Sequence, residues 1–220
     1  MSTRREVNIG ILSSVAAVAT ATKGFAQSPQ AIDLPPPMTE GGRSLMQSLK
    51  DRQSIRDYSE RPLPQQILSN LLWAAWGVNR AQSDGRTAPR WRGVYALDVY
   101  LAMADNVWRY EPKSHRIVLH MPGDLRAQTT IGQPFVATAP LNLIYAFDMS
   151  KLSGTTESEG IAAAAACVAM AGENVYLYCA SEGLATVFRQ SVPGAKLAQA
   201  LKLPARQIIQ FAQTVGYPKT

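Results

Sequence analysis

Hydrophobic residues recur at the spacing of an amphipathic α-helix in two parts of this 220-residue chain. In residues 65–76 they form one stripe, and Gly77 follows as a helix stop. Residues 157–182 are alanine-rich and apolar on most faces, and Gly183 closes this stretch. The pattern therefore predicts a core helix over 65–76 and a long buried helix over 157–182.

Shorter apolar runs bounded by turn residues predict strands in much of the remaining chain. The predicted strands cover residues 94–103, 107–110, 117–120, 141–147, 184–188 and 207–215, and a further short helix covers 194–201. A polar loop is expected from Gly77 to Pro89. Strands and helices do not follow a regular alternating repeat, which favours an α+β sandwich with a mixed sheet.

One polar segment, Asp51 to Tyr58, places Arg52, Ser54 and Arg56 at every second position. In an extended backbone these side chains point to one face, and the two guanidinium groups leave the chain roughly 7 Å apart. Arginine supplies planar, permanently charged donors and serine a neutral one, so the spacing suits one phosphate group. A solvated surface turn explains the same residues equally well.

Composition and charge exclude several classes of protein. The chain is 46% hydrophobic and long enough for one well-buried core. Its formal net charge of +6 is spread out and lacks the clustered cations and interleaved aromatics typical of nucleic-acid binding. The two histidines have no metal-site spacing. Motifs of a Rossmann domain, a nucleotide triphosphatase and an α/β-hydrolase are absent from the sequence.

The two cysteines are predicted to be buried small hydrophobes. Cys167 and Cys179 lie twelve residues apart in the predicted long helix, which separates them by roughly 18 Å. A disulfide requires Cα atoms within about 7 Å, so the pair cannot bridge within the chain.

The N-terminus has the three parts of an export signal. Arg4 and Arg5 precede a moderately apolar run from Ile9 to Ala21, and a small-residue cleavage site ends at Ala26. The run is too short to span a bilayer, so no stable membrane insertion is expected after cleavage. Twin arginines favour the pathway that exports folded proteins, and hence a periplasmic location, although an ordinary Sec signal stays possible. Residues 1–26 are thus predicted as signal, 27–42 as a linker or arm outside the core, and 43–220 as the folded domain.

Four segments together resemble the nitroreductase-like flavoenzymes. The opening motif is Arg-Gln-Ser-Ile-Arg-Asp-Tyr-Ser from Arg52, followed by Pro-Leu-Pro. Residues 71–80 and 86–100 are similar to the second motif, especially in the thiazoline-oxidase-like branch. Residues 173–188 resemble the family's long helix with its following strand, and 215–218 its closing strand end. The resemblance implies a three-layer sandwich with a mixed, mainly antiparallel sheet flanked by helices.

The same resemblance implies FMN as cofactor, a small-molecule substrate and a homodimer with flavin sites at the subunit interface. It assigns the phosphate, ribityl chain and ring edge to Arg52, Gln53, Ser54 and Arg56. It places the backbone around Ala88, Pro89 and Arg90 on the opposite side of the flavin, and an amide from the turn containing Arg189 and Gln190 near N5. Near the C-terminus, Lys219 is the one positively charged residue available for a further phosphate contact.

This chain departs from the family pattern in the second motif. It has Arg90, Gly93 and Tyr95 where the family usually shows serine, asparagine and glutamine. The arginine is expected to neutralise an anionic reduced flavin or to bind a carboxylate substrate. The implied activity is hydride transfer at flavin N5 to or from a small organic molecule. The alternative is a non-catalytic flavin-binding or interaction module with the same fold.

Overall fold

The computed structural model describes residues 30–219 of the chain. The strands within these residues are β1 (Ala31–Asp33), β2 (Val78–Arg80), β3 (Gly85–Arg86), β4 (Leu97–Ala102), β5 (Asn106–Glu111), β6 (Arg116–Pro122), β7 (Leu141–Asp148), β8 (Ala185–Arg189) and β9 (Gln207–Gly216). Seven strands form one sheet in the order β1-β6-β5-β4-β7-β9-β8, and β2 pairs with β3 in a separate hairpin. All pairings that the described residues make in the large sheet are antiparallel.

The α-helices in residues 30–219 are α1 (Leu45–Asp51), α2 (Gln65–Trp76), α3 (Glu157–Glu182) and α4 (Gly194–Ala200). A capping box starts α3, because Thr156 Oγ1 accepts from the Glu159 amide and the Glu159 carboxylate accepts from the Thr156 amide. The helix ends at Gly183, whose φ of 69° is in the left-handed region. The predicted bounds of α2 and α3 are confirmed.

Helices cover both faces of the sheet and make it the middle layer of three. In β7, Leu143 and Tyr145 lie in the core cluster shared with α3, while Ile144 and Ala146 lie in the cluster shared with α4. α1 and α2 pack against α3. Within residues 30–219, α3 alone is long and apolar enough to cross a membrane, and here it packs on the sheet as a core helix. The predicted α+β sandwich with a mainly antiparallel sheet is therefore confirmed, although no parallel pair within residues 30–219 makes that sheet mixed.

The six predicted strands are present, with ends that differ from the predicted ones by at most three residues. The predicted short helix over 194–201 is α4 and ends one residue earlier, at Ala200. Cys167 and Cys179 are buried and free, as predicted.

Two expectations for the irregular segments are wrong. Residues 27–42 were expected to lie outside the core, but β1 pairs with β6 and Leu34 is buried. This strand is only three residues long, so its single large apolar residue gives no visible alternation, and backbone pairing to the sheet edge decides its structure. The polar loop expected before Pro89 contains the β2–β3 hairpin. The predicted signal, residues 1–26, lies outside the described residues.

Candidate functional site

The segment between α1 and α2 lies along the edge of β8. The Ile55 amide donates to the Thr186 carbonyl at 3.0 Å, and the Ser59 amide donates to the Tyr217 carbonyl at 2.9 Å. Residues 52–59 therefore run from the sheet edge to the chain that follows β9. The first and the last of the four motifs thus meet at one place in the fold.

Tyr176 of α3 joins this segment to β8. Its hydroxyl accepts a hydrogen bond from the Phe188 amide at 2.9 Å and shares another with Ser54 Oγ at 2.7 Å. The guanidinium carbon of Arg52 lies 5.1 Å from the centre of the Tyr176 ring, within the range of a cation–π interaction. One side chain thus holds the arginine, the serine and the end of the edge strand in a fixed arrangement.

Tyr176 lies in residues 173–188, which resemble the family's long helix and following strand, but the sequence alone gives it no role in the site. The available signal was a tyrosine in an otherwise small and apolar helix, because a buried tyrosine hydroxyl usually has a hydrogen-bond partner. The identity of the partners was not visible, since Ser54 lies 122 residues away in sequence.

This segment contains arginines that are not paired with carboxylates in the described residues, together with exposed polar side chains. Within residues 30–219, neither Arg52 nor Arg56 forms an ion pair with a carboxylate. Gln53, Ser54 and Arg56 are exposed. Lys219 is brought close, because its amide donates to the Asp57 carbonyl at 3.2 Å. The structure therefore gathers the predicted phosphate-binding residues in one region.

The side chain of Arg189 is committed to internal contacts. It is 3% exposed and donates to Thr129 O, Thr129 Oγ1, Asn142 Oδ1 and Thr214 Oγ1 at 2.9 to 3.3 Å. All of these acceptors are neutral, and burial lowers the pKa of the guanidinium to about 10. Arg189 thus anchors the end of β8 to the protein interior. Its side chain is buried in these contacts, so only the backbone of this turn could contact a cofactor. Gln190, which follows it, is exposed.

The remaining predicted residues, Ala88 to Arg90, form a separate group. Ala88 is buried in the core, Pro89 is exposed and Arg90 is half-buried. No hydrogen bond, ion pair or ring contact within residues 30–219 joins this group to Arg52–Arg56. The next residue, Trp91, packs against the core cluster that contains Cys167 of α3. Cys167 lies nine residues before Tyr176, which is roughly 13 Å along a helix.

Tyr95 organises the second group. Its hydroxyl donates to the Asp84 carbonyl at 2.6 Å, and the guanidinium carbons of Arg90 and Arg86 lie 4.1 and 4.7 Å from its ring centre. Arg86 is buried and pairs with the Asp84 carboxylate at 2.5 Å. Burial opposes ionisation of that carboxyl, but hydrogen bonds from Arg86 and Lys113 hold its pKa below the ordinary value.

This fold, with its motif residues gathered at the sheet edge, is that of an oxidoreductase. The chain belongs to the nitroreductase family, whose family model matches residues 49–217. Members of this family are oxidoreductases that typically use a flavin.

Individual relatives agree with this assignment. A protein named as a nitroreductase from Methanocaldococcus jannaschii is 32% identical over 145 residues, which cover 62% of this chain and 73% of the relative. The crystal structure of a protein named as a nitroreductase from Ralstonia eutropha is 37% identical, with a TM-score of 0.84 over 89% of this chain and 93% of that one. The Escherichia coli microcin synthetase complex matches with a TM-score of 0.66 at 16% identity, over 86% and 78% of the two chains, and this similarity shows the fold alone.

Proposed function

We propose that this protein is an FMN-dependent oxidoreductase that holds the FMN phosphate between Arg52 and Arg56. The observation that carries the proposal is the pair of guanidinium groups that have no carboxylate partner within residues 30–219, next to the exposed Gln53 and Ser54. A phosphate monoester offers only acceptor oxygens and negative charge, which this donor set matches. The residues present therefore fit FMN.

When bound, FMN supplies the hydride chemistry at N5, and the protein supplies binding and orientation. Tyr176 restrains Arg52 by ring stacking and Ser54 by a hydrogen bond. Alternate amides of an edge strand point the same way. Because the Phe188 amide points outward to Tyr176, the next outward amide is that of Gln190, which supports the amide proposed near N5. Arg189 holds this backbone in place from the interior.

We further propose a homodimer in which the second group, Ala88 to Arg90, faces the flavin of the other subunit. In a single chain that group is not joined to Arg52–Arg56, and one face of α3 remains open. Exposed apolar residues lie on α1 and on α3. They are Leu45, Met46 and Leu49 of α1 and Ile161, Ala162, Ala166 and Ala169 of α3. A second copy would bury this surface, whereas complete burial of α3 within one chain does not occur in this structure.

The phosphate assignment is tested by replacing Arg52 and Arg56 together with alanine. Each charge-assisted hydrogen bond contributes about 1.5 to 3 kcal/mol, so FMN affinity should fall by roughly a hundredfold or more. The measurement is the dissociation constant of FMN from flavin fluorescence. Lys196→Ala with Lys202→Ala removes the same charge near α4, on the other face of the sheet, and should leave FMN affinity unchanged. Unaltered flavin content in the Arg52/Arg56 variant would refute the assignment.

The shared site is tested by light scattering on FMN-loaded protein. We expect a dimer in the parent protein, and weakened association in Met46→Lys, because that side chain is 74% exposed in one chain and would carry its charge into the interface. Lys50→Met on the same helix serves as the control for a change of side chain without a new charge. A monomer that retains one FMN per chain would show that the site is not shared.

Turnover separates the enzyme from a non-catalytic flavin-binding or interaction module with a nitroreductase-like fold. An enzyme's flavin should be reduced by NAD(P)H or dithionite and reoxidised faster when a candidate acceptor is added. Flavin that is bound but reoxidised at the same rate with every acceptor would favour the module. For a periplasmic protein, we propose an electron donor other than NAD(P)H, since pyridine nucleotides are cytoplasmic.

A further inference from the structure

We propose that Arg90 binds a carboxylate group of the substrate, and that the enzyme therefore selects anionic over neutral substrates. This inference rests on the proposed function, because it names the substrate class of the same site. It assigns the Arg90 side chain to the substrate, while the backbone of Ala88 to Arg90 keeps its place beside the flavin.

Arg90 presents a complete set of unused donors. Within the described residues its guanidinium makes no hydrogen bond or ion pair, and it rests on the Tyr95 ring at 4.1 Å. Nη1 is enclosed without a hydrogen-bond partner, and the rest of this half-buried side chain reaches the surface. A guanidinium already held over an aromatic ring loses little further freedom when it binds a planar group.

The local charge favours an anion. Arg86, Arg90 and Lys113 surround this cluster with three positive charges, and both Arg86 and Lys113 pair with the single carboxylate of Asp84, at 2.5 and 3.2 Å. Asp84 is therefore already neutralised by two cations. The charge of Arg90 stays uncompensated within residues 30–219 and is available to a ligand.

The residues next to Arg90 add a second unpaired donor and a turn of fixed backbone. The indole Nε1 of Trp91 is a second enclosed donor without a partner in the described structure. Arg92 and Gly93 both have positive φ, 44° and 77°, and the tight turn that they form closes with a hydrogen bond from the Val94 amide to the Trp91 carbonyl. This turn fixes the backbone next to Arg90. A carboxylate, which is planar and only accepts hydrogen bonds, matches a guanidinium with two parallel bonds.

The test uses FMN-loaded protein without reductant, so that binding is measured apart from turnover. Calorimetric titration compares 4-nitrobenzoate with 4-nitrobenzamide, which have nearly the same size and differ in charge. We expect the parent protein to bind the anion more tightly. Arg90→Gln should weaken binding of the anion by about tenfold or more, because a charge-assisted hydrogen bond is lost, and should change binding of the amide by less than about twofold. Lys196→Gln, an equal charge change in α4 on the other face of the sheet, should leave both affinities unaltered.

The possible outcomes distinguish a failure of the proposed function from a failure of the carboxylate site at Arg90. Protein that does not bind FMN would overturn the proposed function and this inference together. FMN-loaded protein with equal affinity for the two ligands, or with none for either, would overturn the inference alone. A loss of FMN affinity in Arg90→Gln without a change in anion preference would assign the side chain to the flavin instead. Melting temperatures of both variants confirm that they are folded.

Discussion

The hydroxyl of Tyr176 connects three parts of the site, and its removal is a direct test of that connection. Tyr176→Phe keeps the ring and therefore the stacking of Arg52, but it deletes the acceptor of the Phe188 amide and the partner of Ser54 Oγ. Ser54 is exposed, so water replaces its lost bond. The Phe188 amide is part-buried and loses its partner.

The expected loss of stability comes from the Phe188 amide, because water cannot fully replace its lost partner. An unsatisfied part-buried donor costs about 1 to 3 kcal/mol. For a chain of this size each kcal/mol lowers the melting temperature by about 2 to 4 °C, so we expect a decrease of roughly 2 to 12 °C in the FMN-free protein. FMN affinity should also fall, but by less than in the Arg52/Arg56 variant, because both guanidinium groups remain.

The assay is differential scanning calorimetry of the FMN-free protein, with Tyr217→Phe as the matched control. Tyr217 also stacks with an arginine, Arg61, at 4.1 Å, but its hydroxyl makes no hydrogen bond within residues 30–219. That variant should melt with the parent protein. An unchanged melting temperature in Tyr176→Phe, or an equal decrease in the control, would refute the role assigned to the hydroxyl.

Two further predictions concern pH and export. His115 bonds Ser69 Oγ at 2.7 Å and Tyr110 Oη at 2.9 Å, and burial lowers its pKa. Its contribution to stability is therefore full above pH about 6.5 and is lost as the pH falls below that value. The urea concentration at the unfolding midpoint should drop between pH 7.5 and pH 5.5, and it should drop less in His115→Gln. An equal drop in both proteins would contradict the assignment. Changing Arg4 and Arg5 to lysine should retain FMN-loaded precursor in the cytoplasm, as seen by cell fractionation, and efficient recovery of processed protein from the periplasm would show that the twin arginines are incidental.

The sequence predicts the parts of the fold that carry strong local signals. The ends of α2 and α3 are predicted correctly because apolar periodicity and the stops at Gly77 and Gly183 agree. β1 is missed because three residues cannot show a period, and its structure depends on the partner strand β6. The resemblance indicated the order of the motifs, and the structure brings the first and last of them together at Tyr217.

The contacts within the site depend on long-range packing and were not visible in the sequence. An arginine is usually exposed, so nothing at Arg189 indicated that Thr129, Asn142 and Thr214 enclose it from three distant parts of the chain. The separation of Ala88–Arg90 from Arg52 likewise depends on tertiary packing, since Trp91 packs against the core cluster that contains Cys167 of α3.

The position of residues 52–59 also affects self-association. An uncovered edge strand is a template for pairing with other chains. At one edge of the sheet β1 is only three residues long, and at the other the outward groups of β8 are occupied, the Thr186 carbonyl by Ile55 and the Phe188 amide by Tyr176. The segment proposed to hold the phosphate thus also shields the sheet. If FMN is held there as proposed, its release should loosen this segment and expose β8, so aggregation of the purified protein should follow the release of FMN.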